Sequence, residues 1–178
     1  MMENGKILLS LTGWDPEQWR KALREAAPER EAVLAPAIAD DPSIRYAIVW
    51  KPPAGSLARL PNLQAIFSAG AGVDHILTDD RLPDVPIVRV VADDLTMRMS
   101  EYVVWQVLDH HRMGALYRRQ QTRHLWREEL RQPAAGQVTV GIMGMGALGG
   151  DAARKLSAIG FNVTGWSRRP KQVEGVTC

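Results

Sequence analysis

The chain has 178 residues and a single cysteine, Cys178, at the last position. No intrachain disulfide can form, and no cysteine-based metal site exists. Long apolar runs are missing: none approaches the ~20 residues that cross a bilayer. The opening Met1-Met2-Glu3-Asn4-Gly5-Lys6 places an acid before a short apolar run, Ile7 to Leu11, which does not fit a secretory signal. Charge of one sign is scarce as well. Residues 1–90 carry 10 basic and 12 acidic side chains, net −2, and residues 91–178 carry 12 and 8, net +4. That falls short of the basic stripe a nucleic-acid binder needs. Apolar residues are 46% and charged residues 24%, globular proportions that exclude a disordered chain. The expectation is a soluble cytoplasmic protein of one to two domains, with neither nucleic acid nor membrane as partner.

Short apolar runs punctuated by turns are what the chain does contain. Lys6–Leu11, Tyr46–Trp50, Leu63–Phe67 and Val85–Val91 read as strands. Asp15-Pro16 reads as an N-cap followed by proline at the first helical position, and Trp19, Ala22, Leu23 and Ala26 then share a helical face. Strands alternating with helical or loop segments predict an α/β fold with a parallel sheet. From Leu95 to Leu108 almost no polar face remains, which predicts a helix buried on several sides, wedged between two lobes. Arg112, Arg118, Arg119, Arg123, Arg127 and Arg131 follow; Glu128 and Glu129 partly offset them, and a solvated face accounts for them better than a nucleic-acid surface does.

Val138–Met143 is a further strand, and Gly144, Gly146 and Gly149 follow it at once in the pattern G-x-G-x-x-G. Leu148, Ala152, Ala153, Leu156 and Ile159 then share a helical face, Gly160 sits where a glycine ends a helix, and Phe161–Trp166 is the next strand. Strand, glycine turn, helix and strand within about 30 residues make a dinucleotide fingerprint; a ligand-free glycine turn is the alternative. The first glycine permits the tight turn, the second lets backbone approach a pyrophosphate, and the third lets helix and strand pack closely. The N–H groups of Ala147 and Leu148, opening the helix, would face the phosphates. An NAD-type site needs an acid at the end of the second strand, but no Asp or Glu occurs between Asp151 and Glu174. Ser167-Arg168-Arg169 stands there instead. Guanidinium groups pair bidentately with phosphate, so the expected cofactor is NADP(H), with NAD(H) as the alternative.

Several segments together resemble one family: Trp50-Lys51-Pro52-Pro53-Ala54-Gly55, Ser68-Ala69-Gly70-Ala71-Gly72-Val73-Asp74, Arg98-Met99-Ser100-Glu101-Tyr102-Val103, Gly141–Gly149 and Gly165-Trp166-Ser167-Arg168. In this order they are similar to the NAD(P)-dependent D-isomer-specific 2-hydroxyacid dehydrogenases, and within them to the glyoxylate/hydroxypyruvate reductase A branch. The resemblance implies a flavodoxin-like substrate domain over residues 1–95 that lacks its C-terminal completion. It also implies the first β-α-β unit of an incomplete Rossmann domain over residues 96–178. It implies that Gly70, Ala71, Gly72 and Val73 hold a substrate carboxylate through backbone N–H groups, as consecutive amides in a glycine-rich turn can, and that Trp50 walls the pocket. Lys51 reads equally well as a pocket charge and as a surface one. The implied substrate is a small 2-keto or 2-hydroxy acid, and the complete enzyme is expected to be a homodimer.

The family's catalytic arginine, histidine and carboxylate all follow the second Rossmann strand, beyond Cys178. His75, His110, His111 and His124 match none of them, so no catalytic residue is assigned. A Rossmann sheet runs 3-2-1-4-5-6, and only its first two strands are present. The first therefore has an apolar edge without a neighbour. The expectation is a chain cut short of its catalytic half and inactive alone. The rival is a noncatalytic nucleotide-binding or interaction module.

Overall fold

The computed structural model describes residues 5–35 and 40–178. It divides into two compact units, Met1–Val90 and Val91–Cys178. In the first, β1 (Lys6–Leu11) leads into α1 (Pro16–Ala26), β2 (Ala32–Leu34) and β3 (Ile44–Trp50). β4 (Ala65–Ser68), α2 (Asp74–Leu77) and β5 (Ile87–Val88) complete it. All strand pairs are parallel and the order is β2-β1-β3-β4-β5, the flavodoxin-like arrangement.

Asp15 caps α1 as its sequence predicts, its carboxylate accepting the Glu17 N–H at 3.0 Å. Leu8, Ile44, Ala47, Val49, Leu57, Leu60, Leu63, Ile66 and Ile76 form one continuous core beneath the sheet. α1 lies on β1 and β2 with Trp19 and Leu23 only half-buried, while Ala22 and Ala26 stay exposed. β2 was not anticipated, because Ala-Val-Leu is too short to show alternation. β5 is shorter than the expected Val85–Val91: Pro86 has no N–H to give to a ladder, and only Ile87 and Val88 pair with β4.

The second unit holds α3 (Asp93–His111), α4 (Gly114–Gln121), β6 (Thr139–Met143), α5 (Ala147–Ile159) and β7 (Asn162–Trp166). β6 and β7 pair in parallel, Thr139 opposite Asn162 through to Met143 opposite Trp166. Met145, Ala153, Leu156, Phe161 and Val163 make the core, with Val103, Val104, Val107 and Leu108 of α3 packed on it. Burial of α3 on several sides is not what the structure shows. One face is packed, and Met97, Met99, Tyr102 and Trp105 are exposed, because α5 and its sheet can cover only one side of a helix. The far edge of β6 has no strand beside it among the described residues, and Met143 at its end is 87% exposed. Beyond β7 the chain returns, Gly165 N–H donating to Thr177 O at 2.7 Å. No described helix is long and apolar enough to cross a membrane.

Candidate functional site

Each glycine of the turn after β6 has a different physical reason to be there. Gly144 has φ +104°, a conformation that L side chains rarely adopt, and its N–H donates to Trp166 O at 2.8 Å. Gly146 is extended at the N-cap, and a Cβ built there meets nothing within 4 Å, so the space over the turn is open. At Gly149 a Cβ would overlap the carbonyl oxygen of Gly144 and come within 3.3 Å of Ile142 Cγ2, so helix and strand close only on a bare Cα. The first helical bond runs from Gly150 N–H to Gly146 O at 2.8 Å. The N–H groups of Ala147, Leu148 and Gly149 therefore point outward without partners, and no side chain caps them. These groups and the partial positive charge of a 13-residue helix make a cradle that fits a pyrophosphate.

At the end of β7, Arg168 and Arg169 are exposed and have no carboxylate partner among the described residues. Ser167 Oγ donates to Arg169 O at 2.5 Å, closing the turn that presents both guanidinium groups. Beneath the glycine turn lies a pair that sequence reading missed. Ser100 of α3, fully buried, donates to Asp151 Oδ2 at 2.6 Å; Lys155 Nζ reaches the same oxygen at 2.7 Å and Arg154 reaches Oδ1 at 3.1 Å. The Lys155 and Ser100 hydrogen bonds hold the Asp151 carboxyl down at about 2.

In the first unit the carboxyl ends of β1, β3 and β4 meet along one sheet edge, Leu11 opposite Trp50 and Val49 opposite Ser68. In this strand order the crevice beyond the ends of β1 and β3 is the topological switch point, where ligands of open α/β sheets bind. Ser68 Oγ accepts the Gly70 N–H at 3.2 Å and donates to Gly72 O at 2.9 Å, tying the loop after β4 into a closed turn. Gly70's amide is thus engaged. The N–H groups of Ala71, Gly72 and Val73 have no acceptor among the described residues. The free donors number three, not the four expected from sequence. Gly70 instead makes room: a Cβ there would come 2.6 Å from Trp50 Cζ3. Trp14 stacks on Trp50 at 5.0 Å, and the His75 ring lies 4.5 Å from Trp50 on a tilted plane. Trp50 is therefore pinned by three neighbours. His111 packs edge-on against Phe161 at 5.0 Å, and His110 and His124 are exposed.

Residues 104–177 match the family model described as D-isomer specific 2-hydroxyacid dehydrogenase, NAD binding domain. The chain is similar to the D-isomer-specific 2-hydroxyacid dehydrogenase family. It is 38% identical, over 92% of its own length, to glyoxylate/hydroxypyruvate reductase A of Yersinia enterocolitica. It covers 54% of that relative; the chain spans about half the length of the curated relatives it matches. Two crystal structures of family members are similar over nearly the whole chain. One is a D-isomer specific 2-hydroxyacid dehydrogenase of Xanthobacter autotrophicus Py2 in complex with NADPH and MES (TM-score 0.91, 37% identity, 98% of this chain and 57% of that one). The other is the NADPH-dependent glyoxylate/hydroxypyruvate reductase of Sinorhizobium meliloti in complex with NADP and sulfate (TM-score 0.88, 48% identity, 97% and 55%). The Rossmann-type reading of the glycine turn and the α/β fold class agree with these neighbours.

Proposed function

We propose that this chain carries the substrate-carboxylate loop and the first half of the cofactor site of an NADPH-dependent reductase of small 2-keto acids, of the glyoxylate/hydroxypyruvate type. One observation carries the cofactor choice. The strand after the fingerprint is followed by Ser167-Arg168-Arg169, whose arginines are exposed and without acidic partners among the described residues, where an NAD site needs a carboxylate. The NADPH and NADP held by the two similar structures support the same reading. In it, the free amides at Ala147, Leu148 and Gly149 receive the pyrophosphate over Gly144 and Gly146. Arg168 and Arg169 pair with the 2′-phosphate, and Ser167 turns its proton from the Arg169 carbonyl to the same group.

When bound, NADPH supplies a hydride. The residues of this chain orient the acceptor: the Ala71, Gly72 and Val73 amides take the carboxylate, Gly70 lets Trp50 stand against them, and Trp50 walls the site. Proton donation to the carbonyl oxygen is assigned to no residue of this chain, since none of its four histidines is placed by resemblance to a catalytic one. Residues 1–95 then act as the substrate domain and 96–178 as the start of the cofactor domain. The complete protein is a homodimer in this reading; Trp126 and Leu130 of the Arg-rich segment, 91% and 85% exposed, are free to meet a second copy.

The test is NADPH oxidation followed at 340 nm with glyoxylate and with hydroxypyruvate, using the protein from its native source, with its intact mass measured first. Turnover with a strong NADPH preference is the expected result. Nucleotide binding without turnover on any 2-keto acid would replace this reading with that of a noncatalytic nucleotide-binding module.

A further inference from the structure

Lys51 directly follows β3 at the switch point, and its backbone is unusual. Its φ is +47°, and it is one of four left-handed non-glycine residues among the described residues. That conformation is unfavourable for a residue with a side chain. The surroundings hold it there: Thr12, at the end of β1, donates its hydroxyl to Lys51 O at 2.8 Å, and Thr12 N–H donates to Trp50 O at 3.0 Å. These two bonds lace β1 to β3 across the switch point.

The conformation has a geometric consequence. Successive side chains of a strand point to opposite faces, so Trp50 and Lys51 should diverge. The left-handed turn instead brings the Lys51 ammonium over the Trp50 ring, 6.0 Å from its centroid. The same ring touches Gly70, next to the free amides of Ala71, Gly72 and Val73. Lys51 has no carboxylate partner among the described residues. The acid nearest the loop, Asp74, has its Oδ2 3.9 Å from the Cβ position of Gly72, so the loop's own field is partly cancelled. A cation is thus held, with a left-handed backbone, over the same pinned ring that Gly70 faces, and the three free amides follow Gly70 directly. Strain kept at a crevice by dedicated hydrogen bonds is a mark of function.

We infer that Lys51 is a second anion-recognition point of this site and selects 2-keto acids that carry a second acidic group over glyoxylate. The inference rests on the reading of Ala71–Val73 as the carboxylate loop. A monoanionic acid satisfies the amides and leaves the ammonium unpaired. A dianionic acid satisfies both, with its aliphatic middle against Trp50.

The experiment compares kcat/KM for oxaloacetate with that for glyoxylate in the complete protein, for wild type, Lys51→Met, Lys51→Arg and Lys51→Glu. Methionine keeps the stem and removes the charge. The oxaloacetate-to-glyoxylate ratio is expected to fall at least 10-fold in Lys51→Met and further in Lys51→Glu, and to stay within about 3-fold of wild type in Lys51→Arg. The loss should appear in KM for oxaloacetate. A ratio unchanged in Lys51→Met, or both acids losing equally, would overturn the role of Lys51 while leaving the reductase reading intact. A wild-type protein that reduces neither acid would remove the reductase reading, and this inference with it.

Discussion

Ser100 and Asp151, 51 positions apart, share a 2.6 Å hydrogen bond that ties α3 to α5 one turn below the dinucleotide fingerprint. Ser100 is fully buried, so its hydroxyl has no water to fall back on, and Asp151 completes its coordination with Lys155 and Arg154. Removing the hydroxyl leaves the carboxylate two partners; removing the carboxylate orphans a buried donor. Asp151→Ala is therefore expected to destabilise more than Ser100→Ala, by about 2–3 against about 1 kcal/mol. Urea unfolding of the two variants checks the order, and the reverse order would show that the bond is not what holds the helices.

The same carboxylate sets an acid limb. Its folded pKa, about 2, lies below the ordinary value of 3.8, because the Lys155 and Ser100 hydrogen bonds favour the charged form. A depressed carboxyl contributes stability that is present above the unfolded value and lost as pH falls through the folded one. The window therefore runs from about pH 4 down to about pH 2. With its side chain 20% exposed, solvent screening reduces the contribution to on the order of 1–2 kcal/mol. Wild type should lose that much more than Asp151→Asn when titrated from pH 5 to pH 2 by thermal melts. Parallel curves for the two proteins would refute it.

The glycine turn predicts a split between folding and binding. Gly149→Ala drives a methyl group into the Gly144 carbonyl, a backbone group that cannot swing away as a flexible side chain would. It should lower the melting temperature sharply, by an amount matching several kcal/mol. Gly146→Ala places its methyl in open space where the pyrophosphate would come. Its melting temperature should move little while the Kd for NADPH rises at least 10-fold. Calorimetry and a fluorescence titration of the same two proteins separate the effects. Equal melting temperatures, or unaltered NADPH binding in Gly146→Ala, would contradict the roles given to the two glycines.

What could be read from sequence was whatever depends on neighbours in the chain. The N-cap at Asp15, the left-handed end of α5 at Gly160 and the strand-turn-helix around Gly144, Gly146 and Gly149 are all local, and each stands as read. Burial is not local. Met97, Met99, Tyr102 and Trp105 are apolar enough for a core, yet a single packed face leaves them in solvent. Pairings between distant residues were also invisible: Ser100 with Asp151, Thr12 with Lys51, and Trp50 with Trp14 and His75. Ser68 alone had a sequence signal, since a serine before a glycine-rich turn offers both donor and acceptor to the nearby backbone. It used them on Gly70 and Gly72, and so withdrew Gly70 from the set of free amides.

The arginine pair after β7 gives the sharpest test of cofactor choice. A 2′-phosphate carries close to two negative charges, and two guanidinium groups free of internal ion pairs can meet it with charge-assisted hydrogen bonds worth about 1.5–3 kcal/mol each. NADH lacks the phosphate and would gain none of this. Arg168→Ala with Arg169→Ala should therefore raise KM for NADPH by at least 100-fold and leave KM for NADH within about 3-fold. Salt should matter in the same direction: raising ionic strength from 0.05 to 0.5 M would weaken NADPH binding in wild type more than in the double variant, since the screening length of exposed charges falls from ~14 Å to ~4 Å over that range. A double variant that keeps its NADPH-to-NADH preference would mean that the 2′-phosphate is recognised elsewhere. The acid-free stretch between Asp151 and Glu174 would then mark only the absence of an NAD-type carboxylate.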